Sequence, residues 1–382
     1  MKRKLGDIFE ISSGGTPSKL HPEYYDGNIP WVKTGDLKWK YLYDVEDYIT
    51  EKGLNNSSAK MYEANTVLIA MYGATIGATS ILKFPACTNQ ACAAFKKNEE
   101  VLPEYLYFFL KSKRKKFIKD GVGGAQPNIS VGYLKNVDWE VRNLEEQHEI
   151  VNVLNNIQYI VEQREQEMQL LDELIKARFV EMFGDVIHND RKWECKQFSD
   201  ITTSRLGKML DAKHQTGTCK YPYLANFNVQ WFRFELDNLN EMDFNEKDRE
   251  EFCLEDGDLL VCEGGEIGRC AVWHNQVKKC FFQKALHRVR CNQDIILPDY
   301  LAWWFKYNCE NGGFAAIEGA KATIPHLTGV KMKMLDVTVP AIELQEQFAD
   351  FINQVNKSKV AVQKTLDETQ KLFDSLMQQY FG

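Results

Sequence analysis

Leu144-Glu145-Glu146-Gln147 opens a stretch whose apolar residues fall at three- and four-residue steps with charged residues between them. Ile150, Val153, Leu154, Ile157, Ile160, Val161, Met168, Leu171, Leu174, Ile175, Phe179 and Met182 carry the pattern. Leu344-Gln345-Glu346-Gln347 opens the same texture again, with Phe348, Phe351, Ile352, Val355, Val362, Leu366, Leu372, Phe373, Leu376 and Tyr380. No proline interrupts either stretch, so each predicts one long helix. About 38 residues at 1.5 Å per residue give on the order of 55 Å of helix. A helix of that length with a narrow apolar stripe is a coiled-coil candidate. Its simplest partner is its own repeat, set antiparallel by pseudo-two-fold symmetry. The expected seam residues are Ile150, Leu154, Ile157, Val161, Met168, Leu171 and Ile175 against Phe348, Ile352, Val355, Val362, Leu366 and Phe373. The plainer alternative is that each helix packs only on its own domain.

Outward from these helices, the rest of the chain also occurs twice. Ile29-Pro30-Trp31-Val32, Thr66-Val67-Leu68-Ile69, Gly73-Ala74-Thr75-Ile76-Gly77 and Leu102-Pro103-Glu104-Tyr105-Leu106 follow one another in the first half. Tyr221-Pro222-Tyr223-Leu224, Asp258-Leu259-Leu260-Val261, Gly264-Gly265-Glu266-Ile267-Gly268 and Leu297-Pro298-Asp299-Tyr300-Leu301 repeat that order about 195 residues later. So long a period excludes a solenoid, whose repeats run roughly 20–50 residues. It describes a duplicated globular module with a helix after each copy. β-branched and aromatic runs punctuated by Gly, Asn and Asp predict short strands, and Tyr105–Leu110 and Tyr300–Phe305 predict a short helix in each module. The fold class is α+β with irregular, loop-rich sheets. The expected division is a first module over 1–142, a helix over 143–186, a second module over 187–340 and a helix over 341–382.

A chain of 382 residues accommodates two domains, each able to bury its own core. Neither a signal peptide nor a membrane span is recognisable. Eight of ten cysteines lie in the second module, which argues against a shared disulfide framework and for reduced thiols in a cytoplasmic setting. The net charge of −7 is unevenly distributed. Residues 1–142 hold 20 basic against 16 acidic side chains, whereas residues 143–190 hold 3 against 11. The acidity therefore belongs mainly to the first helix, and nucleic-acid binding by the modules stays permitted.

The motifs of several enzyme classes are missing. No phosphate-binding Gly-x-x-x-x-Gly-Lys loop, zinc-protease helix, nucleophile elbow or S-adenosylmethionine loop set occurs. Cys262, Cys270, His274 and Cys280 match no zinc spacing and read as structural, so no metal and no catalytic group is assigned. Glycine pairs Gly73/Gly77 and Gly265/Gly268 read as tight turns requiring positive φ. Around them, the polar loop residues differ between copies. The first module has Thr16, Ser18, Lys33, Thr34, Asp36, Tyr72, Gln90, Gln126 and Asn128. The second has Lys208, Asn226, Asn228, Glu263, Lys284, Lys321 and Thr323. Such side chains pair with base edges in a DNA major groove, although most loop polarity is merely solvated. The run Lys111, Lys113, Arg114, Lys115, Lys116 and Lys119 would suit phosphates without reading sequence, or would simply be a solvated helix face.

These words, in order and duplicated, resemble the specificity subunit of type I restriction–modification systems over essentially the whole chain. The resemblance rests on Leu5-Gly6-Asp7-Ile8, Gly14-Gly15-Thr16-Pro17-Ser18, Ile29-Pro30-Trp31-Val32-Lys33-Thr34-Gly35-Asp36-Leu37 and Tyr72-Gly73-Ala74-Thr75-Ile76-Gly77. It continues through Thr88-Asn89-Gln90, Gln126-Pro127-Asn128-Ile129-Ser130 and the two helix openings. It implies two target-recognition domains, each reading half of a split double-stranded DNA sequence. The helices would serve as spacer and as dock for two methyltransferase subunits. The chain would be non-catalytic and hold no cofactor. S-adenosylmethionine would belong to the methyltransferase, ATP and Mg to a motor–nuclease restriction subunit. The alternative is a coiled-coil scaffold that binds protein without reading DNA.

Overall fold

The computed structural model describes residues 2–122, 128–210, 217–315 and 326–382. The chain divides into two compact units, one of Met1–Gln166 with Gln363–Gly382 and one of Glu167–Val362. In the first, Val67–Ala70, Thr79–Leu82 and Cys92–Phe95 are short strands with every residue buried. They lie inside a five-stranded sheet ordered Ile11–Ser13, Cys92–Phe95, Val67–Ala70, Thr79–Leu82, Tyr41–Leu42. All neighbours are antiparallel except the last pair. Because side chains alternate along a strand, Val67, Ile69, Ile81, Ala93 and Phe95 face one core while Leu68, Ala70, Leu82, Cys92 and Ala94 face another. The helix Pro103–Ser112, with proline in its first turn, closes the first core through Tyr105, Leu106, Phe108 and Phe109. Val32 and Ala86, from a second sheet built on Tyr25–Val32 and Ala86–Thr88, close the other.

The second unit repeats this plan. Thr202–Leu206, Leu286–Cys291, Leu259–Cys262 and Cys270–Val272 form the corresponding antiparallel sheet. Leu259, Val261 and Val289 face the helix Pro298–Glu310, and Leu260, Cys262 and Leu286 face the companion sheet. Even the parallel contact between sheet segments recurs, as Trp31↔Cys87 in one copy and Tyr223↔Phe281 in the other.

Leu144–Phe183 and Ile342–Phe381 are single helices of 40 residues each. In the first unit Ile150, Leu154 and Ile157 share a core with Phe373, Met377 and Phe381. In the second unit Ile175, Phe179 and Phe183 share one with Phe348, Ile352 and Val355. Within each unit the start of one helix lies with the end of the other, which is the antiparallel order expected. These helices also pack on their own modules. Phe381 lies 5.2 Å from Tyr105, and Phe183 lies 4.8 Å from Tyr300. The helices thus pair with each other as well as with their modules, and the alternative in which each packs only on its own domain does not hold. Among the remaining seam candidates, Val362 is buried, Leu171 packs on the second core, and Val161, Met168 and Leu366 are half-buried.

Each long helix is tied to its module by one buried glutamine. Gln147 accepts the Leu102 N–H at 2.9 Å and donates to the carbonyls of Glu100 and Arg142, both at 2.8 Å. Gln345 accepts the Leu297 N–H at 2.8 Å and donates to Ile295 and Pro340 at 3.0 and 2.8 Å. The alignment of Gln147 with Gln347 suggested by the opening words is thus two residues out of step. Gln347 is exposed, and Gln345 takes the buried place because only there can one amide satisfy three orphan backbone groups.

Candidate nucleic-acid interface

The antiparallel strand order gathers the loops that differ between the copies. Ile11–Ser13 and Val67–Ala70 end where Cys92–Phe95 and Thr79–Leu82 begin, so their loops share one end of the sheet. Gly73 and Gly77 have φ of +65° and +78°, and Gly265 and Gly268 have +86° and +75°. These are left-handed conformations that glycine adopts without the Cβ penalty, and they turn each loop sharply back.

At this end of the first unit, Thr16 donates to the Gln90 side chain. Met71 donates to the Ala91 carbonyl at 2.8 Å, and the exposed Tyr72 bridges to Asn128. Arg114 donates to Ile76 at 3.4 Å, and its stem lies against Gly77. Thr16, Tyr72, Gln90, Arg114 and Asn128 are therefore brought together. Ser18, two residues beyond Thr16, is exposed and accepts the Leu20 N–H at 3.4 Å. Asn89 donates to Val32 at 2.9 Å, which joins the turn Thr34–Asp36 to the Gln90 loop. Within that turn Thr34 is half-buried, and Lys33 pairs with Asp47 at 2.5 Å. Asp36 accepts the Lys33 N–H at 2.7 Å, and burial pushes its carboxyl above the usual range. Lys113 is turned inward, donating to the Phe381 carbonyl, so it is not part of an open basic face. Gln126 lies outside the described residues.

The second unit fills the corresponding end differently. Asn226 donates to the Gly264 carbonyl at 3.0 Å and accepts from Arg269 at 3.0 Å. Glu263 is half-buried beside this pair, with its carbonyl accepting the Leu327 N–H at 2.8 Å, and Lys284 is exposed. Lys208 pairs with Asp248 at 2.6 Å and donates to the Asp243 carbonyl at 2.6 Å. Asn228 is a correction to the polar-loop reading. It is buried, accepting the Ala225 N–H and donating to Glu235, both at 2.9 Å, and it holds its turn as Asp36 holds the first. Lys321 and Thr323 lie outside the described residues. Sequence reading missed Arg269, whose only signal was a cationic side chain directly after the glycine turn.

Among the described residues no helix is long and apolar enough to cross a membrane. The chemistry at the two sheet ends is hydrogen bonding by amides, hydroxyls and guanidinium groups, which suits recognition of polar edges. Cys262 and Cys280 are buried, and burial pushes their thiols up to about 11 and about 12, as befits packing rather than metal-ligating groups.

Comparison with known proteins agrees with this architecture. The family described as type I restriction modification DNA specificity domain matches residues 1–171 and again 190–369. The type I restriction enzyme MjaIX specificity subunit of Methanocaldococcus jannaschii is 31% identical over 219 residues, 52% of this chain and 50% of that protein. The EcoR124I/EcoR124II specificity subunit of Escherichia coli is 31% identical over 159 residues, 40% of this chain and 39% of its own length. The chain thus spans half or less of the curated relatives it matches. Among solved structures, the type I restriction–modification S subunit from M. genitalium is similar over 100% of this chain and 96% of that one. Its TM-score is 0.57 at 15% identity. A chain from work on complex assembly and conformational transition of the type I R-M system gives 0.61 at 14% identity, covering 100% and 97%. At such identities these two likenesses speak for the fold. With two matches in tandem, one to each module and its helix, this chain belongs to the type I restriction modification DNA specificity domain family.

Proposed function

We propose that this chain is the non-catalytic DNA sequence-specificity subunit of a type I restriction–modification complex. The observation that carries the reading is one frame present twice, with different polar side chains at the same sheet end. A shared frame with divergent edges is what two readers of two half-sites require, since base identity is read by side chains and not by the scaffold. Residues 1–142 and 187–340 serve as the target-recognition domains. In the first, Thr16, Tyr72, Gln90, Arg114 and Asn128 are the candidate DNA contacts, and in the second Asn226, Glu263, Arg269 and Lys284. The long helices set the separation between half-sites and dock two methyltransferase subunits. The chain works in the cytoplasm and holds no cofactor. S-adenosylmethionine binds the methyltransferase, and ATP with Mg serves the motor–nuclease subunit where restriction occurs.

The test is to express the chain with a type I methyltransferase subunit and map modified adenines across the host genome. A bipartite motif with a fixed gap is expected. Replacing Tyr72 and Gln90 should alter one half of that motif, and replacing Asn226 and Arg269 the other. Random or absent methylation from an intact complex overturns the reading.

A further inference from the structure

The turns Thr34–Asp36 and Asn226–Asn228 occupy the same place in the two copies. In each, the third side chain accepts the N–H of the residue before the turn, Asp36 from Lys33 at 2.7 Å and Asn228 from Ala225 at 2.9 Å. The residue at the tip is Gly35 in the first copy and Phe227 in the second. A Cβ on Gly35 would meet nothing within 4 Å, and its φ lies outside the left-handed region, so neither packing nor backbone requires glycine there. Phe227 is 59% exposed, and among the described residues no other ring lies against it. Contacts within the chain therefore do not decide between the two residues.

The neighbouring loop shows the reverse exchange. Tyr72 bridges to Asn128 and Gly264 to His326, so Tyr72 and Gly264 correspond. Tyr72 is exposed, whereas a Cβ on Gly264 would come within 2.9 Å of the His326 ring. A large exposed ring thus sits on the glycine turn in the first unit and on the capped turn in the second. The backbone beneath Phe227 is fixed from both sides. Arg269 donates to the carbonyl and side-chain oxygens of Asn226 at 3.1 and 3.0 Å, Asn228 is buried, and Gln230 donates to the Phe227 carbonyl at 3.0 Å. A two-torsion ring on a fixed backbone loses little entropy on making a contact.

Phenylalanine has no hydrogen-bonding side-chain atom, and the thymine 5-methyl is the apolar group that base edges offer in the major groove. Asn226 and Arg269 beside it are of the types that read the same groove. We propose that Phe227 is a specificity-determining residue of the second recognition domain and packs on the 5-methyl group of a thymine in its half-site. The inference rests on the reading of this chain as a DNA sequence-specificity subunit, and it names the base feature that one side chain recognises. The first domain, with Gly35, has no side chain to make this contact from the same position.

The full chain is purified with a type I methyltransferase subunit, its methylated motif is mapped, and duplexes carrying that motif are titrated against the complex. Deoxyuridine replaces each thymine of the motif in turn, on either strand, which removes the methyl group and nothing else. One replacement should weaken binding by the wild type about fourfold, the worth of one methyl group taken out of water. Phe227→Ala should lose at least that much on the thymine duplex and be indifferent to the same replacement, with Phe227→Leu between the two. It should also relax one position in one half of the motif and leave the other half unchanged. Equal responses of the wild type and Phe227→Ala to every deoxyuridine overturn the contact, as does an altered position that holds no thymine on either strand. Weaker association of Phe227→Ala with the methyltransferase in the absence of DNA, with wild-type responses to deoxyuridine, overturns it too and makes Phe227 a protein contact. A complex that methylates without a bipartite motif overturns the underlying reading instead, and shows this before any variant is made.

Discussion

The Lys40 ammonium lies 4.5 Å over the centroid of the Phe108 ring. In the second unit the same place belongs to Phe232, stacked 4.4 Å from Trp303. One copy therefore fastens its loop to its short helix by a cation on a ring, and the other by ring on ring. Burial pushes the Lys40 ammonium down to about 8, against the pull of Glu104. Between that value and the ordinary lysine range, the unfolded chain holds a proton that the folded chain has lost. Stability from this group therefore rises as pH rises from about 8 towards 10. In Lys40→Met that contribution is absent. Paired urea titrations should show the difference between the two proteins moving in favour of wild type over this interval. A difference independent of pH would refute the assignment.

The glutamine ties predict a matched pair of losses. Gln147→Leu or Gln345→Leu leaves one N–H and two carbonyls without their partner in a buried place. Each substitution should cost about 2–3 kcal/mol, as buried polar groups left unsatisfied do. Chemical denaturation of the two variants should give similar shifts, while Gln347→Leu, at the exposed position, should stay within about 0.5 kcal/mol of wild type.

Asp258 is nearly fully buried and takes Arg290 at 2.7 and 3.3 Å, as well as the Glu255 N–H at 2.8 Å. The carboxylate raises the Arg290 guanidinium above its ordinary range. Asp258→Ala strands the Glu255 N–H, whereas Arg290 keeps its ion pair with Glu255 at 2.8 Å, so a loss of about 2 kcal/mol is expected, read as a lowered denaturation midpoint. Asp258→Asn, which can still accept, should lose less.

His287 is buried within the strand Leu286–Cys291, and burial pushes its imidazole below the ordinary histidine value. The unfolded chain then binds a proton near pH 6 that the folded chain refuses. This share of stability is complete above about pH 6.5 and is lost as pH falls, at no more than about 1.4 kcal/mol per pH unit. His287→Gln should make thermal unfolding less acid-sensitive between pH 7 and 5. Equal acid sensitivity in both proteins would exclude His287 as the source.

The parts of this fold that repeat simple periodicities could be read from sequence. The strand Val67–Ala70 is apolar throughout because both its faces are covered, and the long helices announce themselves by apolar steps such as Ile150–Leu154–Ile157. What escaped was governed by contacts between distant residues. Asn228 and Asp36 looked like loop polarity, yet each closes a turn through a backbone N–H three residues earlier. Lys208 and Lys113 looked free to meet DNA, but Asp248 and the Phe381 carbonyl lie far away in sequence and hold them. The two-residue slip at Gln345 had the same origin, since letters were matched where burial decides.

The composition of the first unit has a consequence for synthesis. Its core includes Phe373, Met377 and Phe381, which leave the ribosome some 200 residues after Ile150, Leu154 and Ile157. At roughly 5–20 residues per second the amino-terminal module would wait on the order of ten seconds or more with that apolar surface uncovered. Domain-by-domain completion from the amino end is therefore closed to this chain. The nascent first unit has to be shielded or to stay loosely packed until the last helix arrives, and a premature stop near residue 362 would cripple the half of the protein made first.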